Sequence, residues 1–398
     1  MLPPEEQLAL IKRGGADVFP EQELLEKLRL SCEKERPLRV KLGIDPTTPD
    51  LHLGHTVVLN KLRLFQRLGH VAVLIIGDYT GRVGDPSGHD RTRPMLSEEQ
   101  IRGNAGDLLE MARRTLLPEN LEVRRNGEWF EKMTLAGVID LASRVSVARL
   151  LERDEFSDRL RKDLPLTLQE ILYPLMQGYD SVMVEADVEL GGSDQHFNLT
   201  FGRRIQRSYG QSPQVCLTVP LLVGTDGVKK MSKTYGNFVA LDDAPKEMFD
   251  KLLSIPDALT RDYLALLTDA PEKEIDELLA LPDPREAKVR LAVEVIGRFH
   301  GREAARRVEA AYRAGGVPEE ALRNVELEPG RVWVVRLLQK AGFASSASEG
   351  RRLIRGGAVL LDGRRVEDED EEIEVRDGMV LRAGKKRWAR LVVGRTAP

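Results

Sequence analysis

Two apolar runs, LRVKLGI at 38–44 and VAVLIIGD at 71–78, flank an amphipathic stretch that begins near Gly54 and ends near Gly69. The second run lacks polar alternation, so it predicts a strand buried on both faces. Strand, helix and strand within about forty residues require parallel strands joined by a right-handed crossover. A Rossmann-like, doubly wound α/β sheet follows, with further strands expected at DVELGG (187–192) and QVCLTVPLL (214–222). Such sheets bind ligands beyond the C-terminal ends of their strands.

From about residue 240 the pattern turns helical, with DAPKEMFDKLLSIPD, RDYLALLTD, EIDELLALP and REAKVRLAVEVIGRFHG broken by Pro, Asp and Gly. AGGVPEEALRNVELEPG (314–330) lacks a strong apolar period and is expected to be a linker. A compact α+β module should follow it. The expected domains are 1–238, 239–318 and 331–394.

A chain of 398 residues, 41% of them hydrophobic, can bury cores for two or three domains. Its start, MLPPEEQLALIKRGG, has no basic region followed by an apolar one, and no run approaches a membrane span. The expectation is a cytoplasmic protein without membrane contact. Cys32 and Cys216 alone cannot form a disulfide framework or a cysteine metal site. The net charge of −4 argues against general stickiness to nucleic acid, but it hides segregation. Residues 331–398 hold 15 Lys and Arg against 10 Asp and Glu, which leaves −9 on the first 330 residues. The tail is locally basic.

In DLHLGHTVVL (50–59), His52 and His55 stand three apart at the expected helix start. They could bind zinc, although no third ligand follows at the usual spacing, and they could be ordinary core or surface residues. A third reading uses Gly54 as a place where a ligand approaches backbone without meeting a Cβ, and the helix N-terminus as a phosphate site. The HLGH stretch after DPTTPD resembles the first signature of class I aminoacyl-tRNA synthetases and, more loosely, of related nucleotidyltransferases.

VKKMSKTYGN (228–237) follows a strand and the turn GTDG, and by itself it is a solvated basic loop. Its KMSKT core at 230–234 is similar to the second signature of the same class, with Thr234 where serine is commoner. The pairing makes physical sense. A carboxylate attacking the α-phosphate of ATP builds negative charge on phosphorus and on departing pyrophosphate, and placed cations and N–H donors stabilise it. Lys230 and Lys233 on a mobile loop could close over the triphosphate and act mainly at the transition state. The likeness implies catalytic roles for His52, His55, Lys230 and Lys233.

Three further stretches resemble bacterial tyrosyl-tRNA synthetases. GDYTGRVGDPSGHDRTRP (77–94) is otherwise a glycine-rich turn; the likeness implies that Asp85 holds the substrate ammonium and that Arg93 and His89 lie near pyrophosphate. In LTLQEILYPLMQGYDSV, Thr167 and Glu170 form a capping-box pattern, so a helix starts there. Tyr173, Gln177 and Asp180 then share one face, a polar face unless it meets substrate. Pro174 removes a donor and should kink that helix. The family pattern implies that Tyr173 and Gln177 take the α-amino group and Asp180 the phenol. GGSDQHFN (191–198) follows a strand as a plain turn would; the likeness implies that Gly192, Asp194 and Gln195 meet the ribose. It also adds Thr47, Gly54, Met231, Ser232 and Thr234 to the ATP site. One departure stands out: Lys41 in VKLGIDPT occupies the place where the commonest bacterial branch has a tyrosine on the substrate hydroxyl. The KLG-x-DPT form resembles another bacterial branch.

In the tail, a helix is expected from Ser346 through Arg351, Arg352 and Arg355 to a GG stop, and EDEDEE (367–372) is expected to be a solvated turn. The segment resembles the small RNA-binding domain of S-four type, which implies salt-dependent contact with phosphates. Taken whole, the resemblance implies tyrosine–tRNA ligase activity with L-tyrosine, ATP as its Mg2+ complex and tRNA(Tyr), in a homodimer, with no protein-bound metal. Tryptophanyl-tRNA synthetase, a small-molecule nucleotidyltransferase and an inactive RNA-binding homologue are the alternatives; GDPSG and Gln177 favour tyrosine over tryptophan, and a nucleotidyltransferase gives no reason for the basic tail.

Overall fold

The computed structural model describes residues 1–47, 51–87, 96–313, 323–384 and 387–393. Contacts divide the chain into two compact units, Met1–Ala244 with Asp250–Leu291, and Pro245–Phe249 with Ala292–Pro398. The helices of the 239–318 stretch therefore contribute to both. In the first unit, helix Thr260–Leu267 buries Tyr263, whose hydroxyl donates to the Val223 carbonyl at 2.6 Å.

The first unit is built on six strands: β1 (Asp17–Phe19), β2 (Arg39–Ile44), β3 (Val71–Ile76), β4 (Leu121–Arg125), β5 (Val188–Gly192) and β6 (Val215–Val219). Their order is β1-β6-β5-β2-β3-β4, parallel from β6 to β4 and antiparallel at β1. The two edge strands, β1 and β4, escape the sequence pattern: β1 has three residues and carries no periodicity, and β4, LEVRR, is short, charged and only partly buried. From β2 the chain winds through β3 to β4 on one side, then returns to place β5 and β6 on the other. The order reverses between β2 and β5, and a crevice opens at their C-terminal ends.

Helix Leu53–Arg67 covers the sheet between β2 and β3, burying Leu53, Val57, Leu59, Leu62 and Phe65 at helical spacing. Helix Leu168–Met183 starts at the Thr167 and Glu170 capping box and continues through Pro174. It lies against helix His196–Ser208 at a glycine contact: a Cβ on Gly178 would stand 3.1 Å from Gly202 Cα and 2.8 Å from Ile205. That close approach holds the polar face of the first helix over the crevice.

In the second unit, the C-terminal module contains β7 (Arg323–Leu327), β8 (Gly330–Trp333), β9 (Val359–Leu361), β10 (Arg364–Arg365), β11 (Glu372–Val375), β12 (Val380–Ala383) and β13 (Arg387–Val393). Helices Val334–Lys340 and Ala347–Arg355 pack with them around Val335, Leu338, Ile354, Leu381 and Leu391. Two expectations change here. Part of the expected linker is β7, which pairs in parallel with β13 and buries Val325 and Leu327 on alternate positions; 314–322 lies outside the described residues. The acidic run is also more than a solvated turn. Glu369 accepts two hydrogen bonds from Arg355, Asp370 one from Arg351 at 3.2 Å, and Glu371 one from Arg364. Basic residues distant in sequence come close enough to pair with it, which a count of local charge does not reveal.

Candidate active site

A cavity of about 330 Å³ opens at the C-terminal ends of β2, β3 and β5, where the strand order reverses. Thr47, His55, Asp85, Tyr173, Gln177, Asp180, Gly192, Asp194, Gln195 and Lys230 all line it. His52, Gly54, Met231, Ser232, Lys233 and Thr234 stand outside its lining, and His89 and Arg93 lie outside the described residues.

The two imidazoles share one task. His52 is the N-cap of helix Leu53–Arg67, and its Nδ1 accepts from the Gly54 amide at 3.2 Å. His55 Nδ1 accepts in turn from the His52 amide at 3.2 Å, and the rings lie 4.1 Å apart. For His52 this places the remaining ring proton on Nε2, whereas His55 Nδ1 also lies 3.3 Å from the His52 carbonyl, to which it donates in the other tautomer. Burial, reinforced by the neighbouring His55 ring, lowers His52 to about 3, and burial lowers His55 as well. Both are neutral at pH 7. Gly54 has a local reason to be glycine: a Cβ there would stand 2.9 Å from the His52 ring.

The lysine loop is tied to the same helix start through the backbone. His52 bridges Ala240, Leu53 N donates to Val239 O at 3.0 Å, and Leu241 N donates to Leu51 O at 3.0 Å. Met231 is buried, and Asn237 ties the loop's two sides together: its Oδ1 accepts from Ser232 N, while its Nδ2 donates to Asp226 and to the Lys229 and Lys230 carbonyls. Lys230 Nζ lies 3.6 Å from Asp194, whose carboxyl is raised by burial and held back by that ammonium. Gly191 and Gly192 admit this turn, since Cβ atoms there would meet Gln195 at 2.9 Å and Asp194 at 2.7 Å.

At the other end of the cavity, Asp180 is buried and accepts from Trp129 Nε1 at 2.9 Å and Asn126 Nδ2 at 3.3 Å. Asn126 also donates to Thr80 at 2.8 Å, Thr80 to Asp45 at 2.6 Å, and the Tyr173 hydroxyl to Asp45 at 2.9 Å. One network thus joins the two ends of the polar helix face. Burial raises Asp180 to about 7 against the opposing Lys41 ammonium and its own hydrogen bonds, and burial beside Asp45 raises the Tyr173 phenol. Asp85 is fixed as well, accepting from Gln195 Nε2 at 2.6 Å and from the Ser87 amide at 2.9 Å, with buried Arg153 3.9 Å away.

Sequence reasoning missed Asp45, Thr80, Asn126, Trp129 and Arg153. The first four sit at or just after the ends of β2, β3 and β4, so the rule that ligands gather at strand ends was the available signal. Arg153 had none, because its buried role depends on distant Ser87 and Asn198. Gly77 tests this network. A Cβ there would lie 1.9 Å from Asp45 Oδ1 and 2.4 Å from Thr80 Oγ1. Gly77→Ala is expected to displace Asp45 and weaken binding of L-tyrosine, the ligand expected here from the sequence resemblance, by roughly tenfold or more, measured by equilibrium dialysis. An unchanged dissociation constant would show that the network does not shape the pocket.

Lys41 does not face the cavity. Its ammonium is buried and donates to Glu189 Oε1 at 2.8 Å, Ser181 Oγ at 2.9 Å and the Gln177 carbonyl at 2.9 Å. The register makes this pairing, since Lys41 on β2 stands opposite Glu189 on β5.

Compared with known families, residues 33–314 match the tRNA synthetases class I (W and Y), and residues 332–378 match the S4 domain. The chain is 49% identical over 394 residues to the tyrosine–tRNA ligase of Moorella thermoacetica, covering 97% of this chain and 95% of that protein. It is 47% identical over 395 residues to that of Aquifex aeolicus, covering 98% and 100%. Among solved structures, its fold is similar to a C-terminally truncated mitochondrial tyrosyl-tRNA synthetase of Aspergillus nidulans (TM-score 0.67, 22% identity, covering 79% of this chain and 94% of that one). It is similar also to the tyrosyl-tRNA synthetase of Archaeoglobus fulgidus complexed with L-tyrosine (TM-score 0.61, 23% identity, covering 77% and 99%).

Proposed function

The chain belongs to the tyrosine–tRNA ligases of the class I tRNA synthetases, and from that premise we propose which of its groups carry the chemistry. The reaction joins tyrosine to ATP as tyrosyl-adenylate, then passes the tyrosyl group to a ribose hydroxyl at the end of tRNA(Tyr). In the first step a carboxylate oxygen bonds to the α-phosphorus and the bond to pyrophosphate breaks. In the second, the ribose oxygen bonds to the tyrosyl carbonyl carbon and AMP leaves. Neither step needs a protein nucleophile, so positioning and charge stabilisation carry the rate.

Asp180 takes the substrate phenol, while Tyr173, Gln177 and Asp85 surround its ammonium. The buried Asp180 carboxylate in the cavity lining is the observation that carries this reading. At the start of helix Leu53–Arg67, the neutral imidazoles of His52 and His55 face the phosphates, and the helix start adds its own favourable field. Gly192, Asp194 and Gln195 take the ribose. Lys230, Lys233 and Arg93 act on the departing pyrophosphate, with Thr47, Gly54, Met231, Ser232 and Thr234 shaping the ATP site. Magnesium enters as the MgATP substrate complex. Amino-acid-dependent ATP–pyrophosphate exchange tests the assignment: tyrosine should support it and tryptophan and phenylalanine should not. Exchange driven by tryptophan would move the reading to the other member of the family, since an indole N–H can also donate to Asp180.

The same reading places the protein in the cytoplasm, with residues 331–394 on the RNA, and makes it a homodimer. Leu135, Ile139 and Leu168 supply an argument for the dimer. They are exposed on helices Leu135–Ser143 and Leu168–Met183, which pack together around Leu141 and Leu175. Large apolar side chains left outward on adjacent helices mark an association surface. Leu135→Glu combined with Ile139→Glu is expected to halve the sedimenting mass while leaving helical content unchanged. A mass unaffected by the pair would place the interface elsewhere.

A further inference from the structure

The Lys41 and Glu189 pair lies directly beneath the substrate helix, and both side chains are fully buried. The glutamate's contacts are specific. Its Oε1 accepts from Lys41 Nζ at 2.8 Å and from Gln177 Nε2 at 3.1 Å; its Oε2 accepts from Ser181 Oγ at 2.8 Å and Gln214 Nε2 at 2.9 Å. A carboxylate can only accept, so it captures the NH2 end of the Gln177 amide and excludes the flipped orientation. That leaves Gln177 Oε1, a buried oxygen with no hydrogen-bond partner among the described residues, on a side chain that lines the cavity.

We propose that Glu189 is a positioning residue for substrate recognition: it locks the Gln177 amide so that Oε1 is presented as an acceptor for the α-ammonium of tyrosine. Lys41 makes this tenable by neutralising a carboxylate that would otherwise be buried and unpaired. Through the Gln177 carbonyl and Ser181 hydroxyl it also binds the helix turn that carries Gln177. A neutral glutamine at 189 could donate or accept, and the Gln177 amide would then be free to turn its NH2 toward a cation. The orphaned oxygen has a purpose in this arrangement. An unpaired buried acceptor is costly in the empty enzyme, and an incoming ammonium supplies the missing donors.

The inference rests on the proposed contact between Gln177 and the ammonium, and the experiment separates the two. L-Tyrosinol keeps the ammonium, whereas 3-(4-hydroxyphenyl)propan-1-ol lacks it. Both are used as competitive inhibitors of tyrosine-dependent exchange in the full-length enzyme. In Glu189→Gln, and in the charge-free Lys41→Met/Glu189→Gln, tyrosinol should weaken roughly tenfold or more while the deaminated alcohol changes less than about twofold. The double variant carries the test if the stranded Lys41 ammonium prevents the single one from folding. Introduced into Gln177→Ala, the same substitutions should add no further preference for the deaminated ligand. Parallel weakening of both inhibitors would reduce the pair to scaffolding and overturn the proposal, as would no change in either. If Gln177→Ala itself spares the preference for the ammonium, the reading of Gln177 fails and takes the inference with it.

Discussion

Replacing Lys233 with alanine should slow tyrosyl-adenylate formation by roughly 10²- to 10³-fold, the usual loss when one placed donor to a transition-state charge is removed. The side chain is exposed on a short helical turn, Lys233–Tyr235, held by Ser232 as its cap and ended by Gly236 in a left-handed conformation. Its anchors are other residues: buried Met231 and the Asn237 hydrogen bonds. Losing the lysine therefore leaves the loop's framework in place, and the melting temperature should hardly move. Charge develops on pyrophosphate only as the bond breaks, so the loss belongs in the single-turnover rate, with the KM for ATP much less affected. A KM effect alone would make Lys233 a ground-state binding residue. An unchanged rate would remove it from the chemistry.

Asp180→Ala should cost tyrosine activation about 10²-fold in kcat/KM and should erase most of the discrimination against phenylalanine. Two terms add. The phenol loses its acceptor, and the Trp129 and Asn126 donors that the carboxylate satisfied are left unpaired in a buried site. Phenylalanine makes no use of the carboxylate and should lose little. Rejection of phenylalanine by tyrosyl-tRNA synthetases is itself the standing illustration of this asymmetry. Exchange assays with both amino acids measure the ratio, and a variant that rejects phenylalanine as well as the parent does would place discrimination elsewhere.

The same carboxylate predicts a pH dependence. Burial raises Asp180 to about 7, with Asp45 adding to the rise and Lys41, Asn126 and Trp129 opposing it. The ionised form is the stronger phenol acceptor, so tyrosine affinity should rise with pH, by roughly tenfold between about pH 6 and about pH 8. Stability runs the other way. A carboxyl raised on folding contributes stability that is fully present below its unfolded value near 4 and lost as pH rises through about 7. Urea unfolding of Asp180→Asn alongside the parent isolates this contribution, and parallel pH profiles would exclude it.

Much of the architecture was legible because it rests on local rules. Unbroken apolar strands around an amphipathic helix compelled a parallel crossover, and the Thr167 and Glu170 cap located the helix whose spacing aligned Tyr173, Gln177 and Asp180. The lysine loop and the histidine pair were visible as motifs, since each occupies a single turn of chain. Their backbone connection through Val239–Leu241 was not, because strand-like pairing over such a distance leaves no mark on either segment.

By itself, then, the order of residues determined the strand and helix periods, the winding of the sheet and the rim where a ligand would sit. These depend on backbone geometry and on burying apolar faces, which neighbours in sequence already specify. Only the tertiary structure decided what polar side chains do in the interior. Lys41 turns from the substrate to Glu189 because β2 and β5 register them as opposites, and Gly54 makes room for the His52 ring. A buried charge must find its partner wherever the fold brings one, and that partner can stand nearly 150 residues away along the chain.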